Sequence, residues 1–404
     1  MAVVRSTGSD DDRLDTPVGC DQLRQSGATS IEASLSHLPP GCLWEADAID
    51  ELKRLVQTAP AGHTPLEWDT LGGIAIHDDI KLGRQSSARL TANFQETVRR
   101  LAQAGVRRIN FTVMPLLDWV RTGLDARLES GAEALGFDAV DFAVFDIHLL
   151  KRPGAEEEID PELAAAARRR HLETPAQRWQ ELLTMLTRGL PGGPGQYGSG
   201  EFHSLLDAYQ KVGTEAYRQN LIEFLGEVAR TCEAEGAVFA IHPDDPPIPL
   251  CGLPRIASTL EDLARIFDGV SSPRAGMIFC SGSLASRRDN VLTDFIDRFG
   301  QRIFYAHPRR IRFRDEFGSF TEAEHLGGTG AFDLHDVLTL LMAEEARRRR
   351  QGIADWEIPY RADHACRILY DKERADFVPG YTPIGLVKAM AELRGMIHAI
   401  GKSS

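Results

Sequence analysis

Short apolar runs alternate along this chain with longer stretches whose apolar residues recur at helical spacing, the pattern of repeated βα units around a parallel sheet. The runs Val3–Arg5, Thr29–Leu35, Pro65–Ile74, Val106–Met114, Ala237–His242, Gly276–Cys280, Arg302–His307 and Glu357–Asp363 read as strands. Between them lie amphipathic patterns such as Ala48–Thr58 and Ala88–Ala104. Eight strands with helical connections predict an α/β chain folded as a single TIM (β/α)8 barrel over residues 1–404.

One connection is too long for the pattern. Gly123 to Thr214, after the fourth strand, carries charged helical segments around Pro161–His171 and Thr174–Arg188 and is expected to be a helical insertion over the barrel mouth. Its Gly- and Pro-rich stretch Gly189–Gly198 lacks the Gly-Lys-Ser/Thr ending of a phosphate-binding loop and reads as a connector. Met1–Thr16 is acidic and Ser/Gly-containing enough to be partly disordered.

Four of the strands finish on a side chain that can bind a divalent ion: His242, Cys280, His307 and Asp363. Their separations, about 38, 27 and 56 residues, read as one, one and somewhat under two βα units of roughly 31 residues each. Side chains at the C-terminal ends of neighbouring barrel strands converge, so one ion could meet all four. Taken singly, a strand-end His or Cys is more often a core residue, and an Asp a cap. Four at corresponding positions favour the metal. Two imidazoles, a thiolate and a carboxylate suit Mn, Co, Fe(II) or Zn better than Mg or Ca.

Composition narrows the function. A net charge of −13 opposes a polyanionic partner, so nucleic acid is not expected. The one basic run, Arg347–Arg350, closes a helical pattern before Gly352 and reads as a solvated helix end. No apolar run approaches the roughly 18 residues of a membrane span. Met1–Asp12 has Arg5 as its only cation and no apolar stretch, and the six cysteines show no paired spacing; a cytoplasmic protein with reduced thiols is expected.

Beyond the four donors, the chain carries Ile76-His77-Asp78-Asp79-Ile80-Lys81-Leu82-Gly83, Met114-Pro115-Leu116-Leu117-Asp118-Trp119-Val120-Arg121-Thr122, Leu150-Lys151-Arg152-Pro153-Gly154-Ala155, Ile241-His242-Pro243-Asp244-Asp245-Pro246-Pro247 with Gly252-Leu253-Pro254-Arg255-Ile256 beyond it, Cys280-Ser281-Gly282-Ser283, His307-Pro308-Arg309, Arg361-Ala362-Asp363-His364 and Pro379-Gly380-Tyr381. With these segments it resembles, through nearly its whole length, the mannonate dehydratase family of the xylose-isomerase-like TIM barrels. The resemblance implies a hydro-lyase that converts D-mannonate, or a closely related hydroxy acid, into 2-keto-3-deoxy-D-gluconate and water. It implies a Mn-like ion on His242, Cys280, His307 and Asp363, with Fe, Co or Zn as further candidates. It also implies proton transfer by His364 and Tyr381, without saying which is acid and which base, and substrate contacts from Arg309, Asp244 and His77. Outside the resemblance, Tyr381 reads as a packed core ring and His364 as support for Asp363. A small sugar acid is thus the expected partner, with assembly into a homo-oligomer.

Several positions depart from the family pattern. Arg5-Ser6-Thr7-Gly8 replaces Arg-Trp-aromatic-Gly, Thr112 and Arg310 stand where the family has Asn, Ala365 replaces Gly, and Asp78 replaces Glu. Lost rings predict a wider pocket, and Arg310 predicts an added positive charge that favours a larger or more anionic acid. Two other readings stand beside the dehydratase. An isomerase or epimerase on the same barrel would share the metal-assisted enolisation but leave the product mass unchanged. A non-catalytic binding protein would have no use for the full donor and acid–base set.

Overall fold

The computed structural model of the protein describes residues 2–3, 20, 23–188, 197, 199–327, 330–373 and 378–403. Arg5-Ser6-Thr7-Gly8, the rest of Met1–Thr16 beyond Ala2–Val3, and Gly189–Gly198 apart from Tyr197 lie outside them.

Seven parallel strands form the central sheet: β1 (Ala2–Val3), β2 (Ser30–Ala33), β3 (Glu67–Leu71), β4 (Arg108–Thr112), β7 (Val238–His242), β8 (Ala275–Cys280) and β9 (Ile303–His307), hydrogen-bonded in that order. The eighth expected strand, Glu357–Asp363, is reduced to a single parallel bridge between Tyr360 and Ala306. The Ala306 amide donates to the Pro359 carbonyl, and the Arg361 amide to the Ala306 carbonyl. Pro359 has no amide proton to give, and a longer ladder would need one. The chain is an α/β fold of TIM type.

These strands form because they are apolar enough to be buried on both faces, as parallel strands between helices must be. All six residues of β8 are buried. Gly276 permits its close approach to β9, since a Cβ there would collide with the Arg302 carbonyl and the Phe304 ring. The helices Ala46–Gln57, Ser87–Gln103, Leu260–Val270, Leu292–Phe299, Leu334–Arg350 and Pro383–Ser403 alternate with the strands. Leu260–Val270 shows why they start where they do: Thr259 and Asp262 make a reciprocal capping box, and Leu263, Ala264, Ile266 and Phe267 form its buried stripe.

The run Arg347–Arg350 is not wholly solvated. Arg348 is buried, donating to Glu344 and to the carbonyls of Gly300 and Ile303, and Arg349 lies over the Trp356 ring.

The segment expected to be helical from Gly123 opens instead as a hairpin of β5 (Gly123–Arg127) and β6 (Glu133–Phe137). With β10 (Arg310–Phe313) and β11 (Phe320–Ala323) it makes a second, antiparallel sheet in the order β10-β11-β6-β5. Helices Ala139–Val144, Pro161–Glu173 and Ala176–Arg188 follow. The next helical stretch, Ser199–Glu235, breaks at Gly213 (φ 72°), beside the expected boundary at Thr214. Among the described residues no helix is long and apolar enough to cross a membrane.

Candidate active site

Register brings the four donors to one level. Cys280 pairs directly with His307 across β8 and β9, and His242 ends β7 opposite Thr112 of β4. Asp363 follows the bridged segment with φ +59°, a left-handed conformation that costs a non-glycine residue about 1–3 kcal/mol and is typical of functional positions. One donor atom from each of His242, Cys280, His307 and Asp363 lies within 4.8 Å of the others, the one such group among the described residues.

The donor chemistry fits a divalent ion. Both ring nitrogens of His307 are buried without a hydrogen-bond partner, an arrangement that a coordinated ion would relieve. Nδ1 of His242 lies 2.6 Å from the Pro243 carbonyl, an acceptor that places a proton there and leaves Nε2 as the nitrogen that could meet an ion. Ser283 Oγ donates to Cys280 Sγ at 3.0 Å and so orients the sulfur. Burial lowers the affinity of His242 for a proton, but Cys280, Asp363 and Asp245 together outweigh it and lift the imidazole to about 9. Burial keeps His307 well below its ordinary value despite Asp363. Asp363 is held well below the carboxylate range: burial opposes this, and His364, His307, Arg361 and Arg309 overcome it.

His242, His307, Asp363, His364 and Tyr381 share the wall of one cavity. Trp119 stands edge-on to His364, with ring centres 4.8 Å apart, and Tyr381 does the same at 5.3 Å. Arg361 Nη2 donates to the Tyr381 hydroxyl oxygen at 3.0 Å.

The four expected substrate contacts lie elsewhere, none of them in the wall of this cavity. Arg309 is 1% exposed and is spent on carboxylates: Asp245 at 2.6 Å, Asp363 at 2.7 Å and Glu322 at 3.2 Å. Gly282 leaves it room, because a Cβ there would meet its side chain at 2.7 Å. Asp244 is buried and accepts from the Ala257 amide and the Ser258 hydroxyl. His77 is the N-cap of the short helix Asp78–Lys81, its Nδ1 accepting from the Asp79 amide. Arg310 donates to the carbonyls of Glu324 and Gly327, so the charge expected to face the substrate is turned onto main chain. Thr112 does line the cavity and donates to Asp118. Rings are present in the wall, from Trp44, Trp119 and Tyr381.

A buried ionic array that sequence reasoning did not find supports this wall. Arg121 bonds Asp245 at 2.9 Å and Glu322 at 2.8 Å, and Arg361 bonds Glu32 at 2.7 Å and Asp363 at 3.2 Å. Asn110 donates to the other oxygen of Glu32. Glu322 in turn lies 2.6 Å from Nδ1 of His364. Two of these were signalled. Glu32 is a charge inside the apolar strand Ser30–Ala33, and Arg361 precedes Asp363 by the two-residue step of an extended chain.

A TIM-type sheet with a ring of mixed donors at the strand ends, and an imidazole and a phenol in the same wall, is the arrangement of a metal-assisted acid–base enzyme. Residues 11–404 match the family described as D-mannonate dehydratase (UxuA). The chain is 40% identical over 390 residues to a mannonate dehydratase of Rhizobium meliloti, covering 96% of this chain and 95% of that one. It is 39% identical over 386 residues to that of Chromohalobacter salexigens, covering 96% of each. The crystal structure of mannonate dehydratase from Streptococcus suis serotype 2 superposes with a TM-score of 0.72 at 24% identity, over 100% of this chain and 93% of that one. The chain belongs to the D-mannonate dehydratase family.

Proposed function

We propose that this chain dehydrates D-mannonate to 2-keto-3-deoxy-D-gluconate. The observation that carries this reading is the placement of His364 and Tyr381 on the same cavity wall as three of the four clustered metal donors. His242, Cys280, His307 and Asp363 would hold the ion, for which Mn²⁺ fits the mixed oxygen, nitrogen and sulfur set. Once bound, the ion supplies Lewis-acid polarisation of the substrate's carboxylate and hydroxyl oxygens, easing loss of the C2 proton.

The protein's own groups divide the proton work. Nε2 of His364 is the base that takes the C2 proton. The electron pair left on C2 forms the C2–C3 double bond as the C3–O bond breaks. Tyr381 gives its proton to the departing hydroxyl, which leaves as water, and the enol so formed becomes the 2-keto acid. Arg361 favours this role, because a guanidinium that donates to the phenolic oxygen stabilises the phenolate left behind. Met185 and Leu186, from the helix Ala176–Arg188, also stand in the cavity wall, which supports reading the helices after β6 as a cover that excludes water. A reduced, cytoplasmic setting accords with the exposed thiol of Cys42.

The test is a product assay with Mn-loaded protein and D-mannonate. The expected product is a 2-keto acid lighter than the substrate by one water. A product of unchanged mass would replace this reading with isomerisation.

A further inference from the structure

His364 can act as a base at the cavity only if the nitrogen facing the substrate is unprotonated. Its Nδ1 lies 2.6 Å from Oε1 of Glu322, and its Nε2 is the nitrogen nearer the donor ring, 4.0 Å from Oδ1 of Asp363. An ionised carboxylate only accepts hydrogen bonds, so the proton shared with Glu322 belongs on Nδ1, and in the neutral imidazole the lone pair is then on Nε2.

We propose that Glu322 is a positioning residue of the reaction, holding His364 in the Nδ1-protonated tautomer with Nε2 turned to the substrate. This rests on the reading of His364 as the base. Glu322 is suited to the task because it is buried and fixed from several sides. Its Oε1 also accepts from Arg121 at 2.8 Å and from Arg309 at 3.2 Å, and both guanidiniums are tied to Asp245. Two cations against one carboxylate keep it ionised, and therefore an acceptor. The imidazole cannot readily turn over, since Trp119 and Tyr381 meet it edge-on. Glu322 comes from β11 of the antiparallel sheet, where it pairs with Ile311 while the preceding Phe320 and Thr321 pair with Phe137 and Gly136 of β6. The second sheet thus delivers the carboxylate to the back of the imidazole.

Nitrogen NMR of the full-length protein labelled in histidine, both metal-free and zinc-loaded, reads the tautomer directly. The His364 signals are those missing from the His364→Asn spectrum. In the neutral imidazole the expected pattern is a protonated Nδ1 and a bare Nε2, and a neutral ring protonated at Nε2 overturns the proposal. Glu322→Leu removes the acceptor at Nδ1 and should free the proton to move to Nε2. Turnover should then fall about 10²- to 10⁴-fold, the range for a misplaced imidazole proton, while KM stays within about threefold and metal content holds. Glu322→Asp, which restores an acceptor, should recover roughly tenfold or more of that loss. Full turnover in folded Glu322→Leu overturns the proposal, and if that variant does not fold, the wild-type spectrum still decides. Failure of the wild-type protein to dehydrate D-mannonate would defeat the functional reading alone, leaving the tautomer to be judged by its spectrum.

Discussion

Arg309 Nε lies 2.7 Å from one oxygen of Asp363, and Arg361 Nη2 lies 3.2 Å from the other. The carboxylate that closes the donor ring is therefore anchored before any ion arrives. Removing it deletes a ligand and leaves two buried guanidiniums short of an anion. Asp363→Ala, and His242→Ala at the end of β7, should lower metal affinity by more than the roughly 10- to 100-fold that loss of a supporting contact costs. Metal content after dialysis checks this, and stoichiometric ion in both variants would remove the site. Cys280→Ser should weaken Zn binding more than Mn binding, since an oxygen replaces a soft thiolate.

Tyr381 and His364 stand in the cavity wall but are not donors in the ring. Tyr381→Phe and His364→Asn should keep the metal and lower turnover by about 10²- to 10⁴-fold, the worth of a general acid or base. Steady-state kinetics alongside metal analysis separate the two effects. Near-wild-type turnover in either variant would end the assignment of that residue.

Acid stability should report on Glu322. Burial would raise its pKa, but His364, Arg309 and Arg121 outweigh it and bring the carboxyl from an ordinary 4.5 down to about 2. A folded value below the unfolded one means that the stabilisation is complete above pH 4.5 and drains away as pH falls toward about 2. The shift corresponds to about 3 kcal/mol over that window. Urea unfolding through the window should show the decline, and Glu322→Gln, already less stable at neutral pH, should show a shallower one. Parallel curves for the two proteins would contradict the ionic account of this carboxylate.

Arg310 donates to the carbonyls of Glu324 and Gly327 and stands off the cavity wall. Arg310→Asn should leave KM for D-mannonate within about threefold while lowering the melting temperature, because the part-buried hydrogen bonds lost from a charged donor are worth about 1–3 kcal/mol. A large rise in KM with unchanged stability would return Arg310 to the substrate.

The sequence carried the donor ring and lost its scaffolding, for a physical reason. His242, Cys280 and His307 each end an apolar run, so their level in the sheet can be read from local pattern. Asp363 sits after a segment with one bridge at Tyr360, so the expected strand was too long and ran past its observed end. Glu322, Arg121 and Asp245 gave no such signal. Arg121 lies 124 residues from Asp245 and 201 from Glu322, and each alone looks like any surface charge. The antiparallel sheet was hidden in the same way. Its strands have four or five residues each and mix charge with apolar side chains, as in Arg310-Ile311-Arg312-Phe313.

Because β11 brings in Glu322 while the parallel strands and the segment after them bring the four donors, the two halves of the centre have separate structural owners. On the proposed roles, damage to the small sheet, in the turn between β10 and β11 or in the hairpin of β5 and β6, would silence the proton chemistry in a protein that still takes up its ion. Metal occupancy therefore certifies only one half of this enzyme, and an inactive but fully loaded preparation should first be examined for the integrity of residues 123–137 and 310–323.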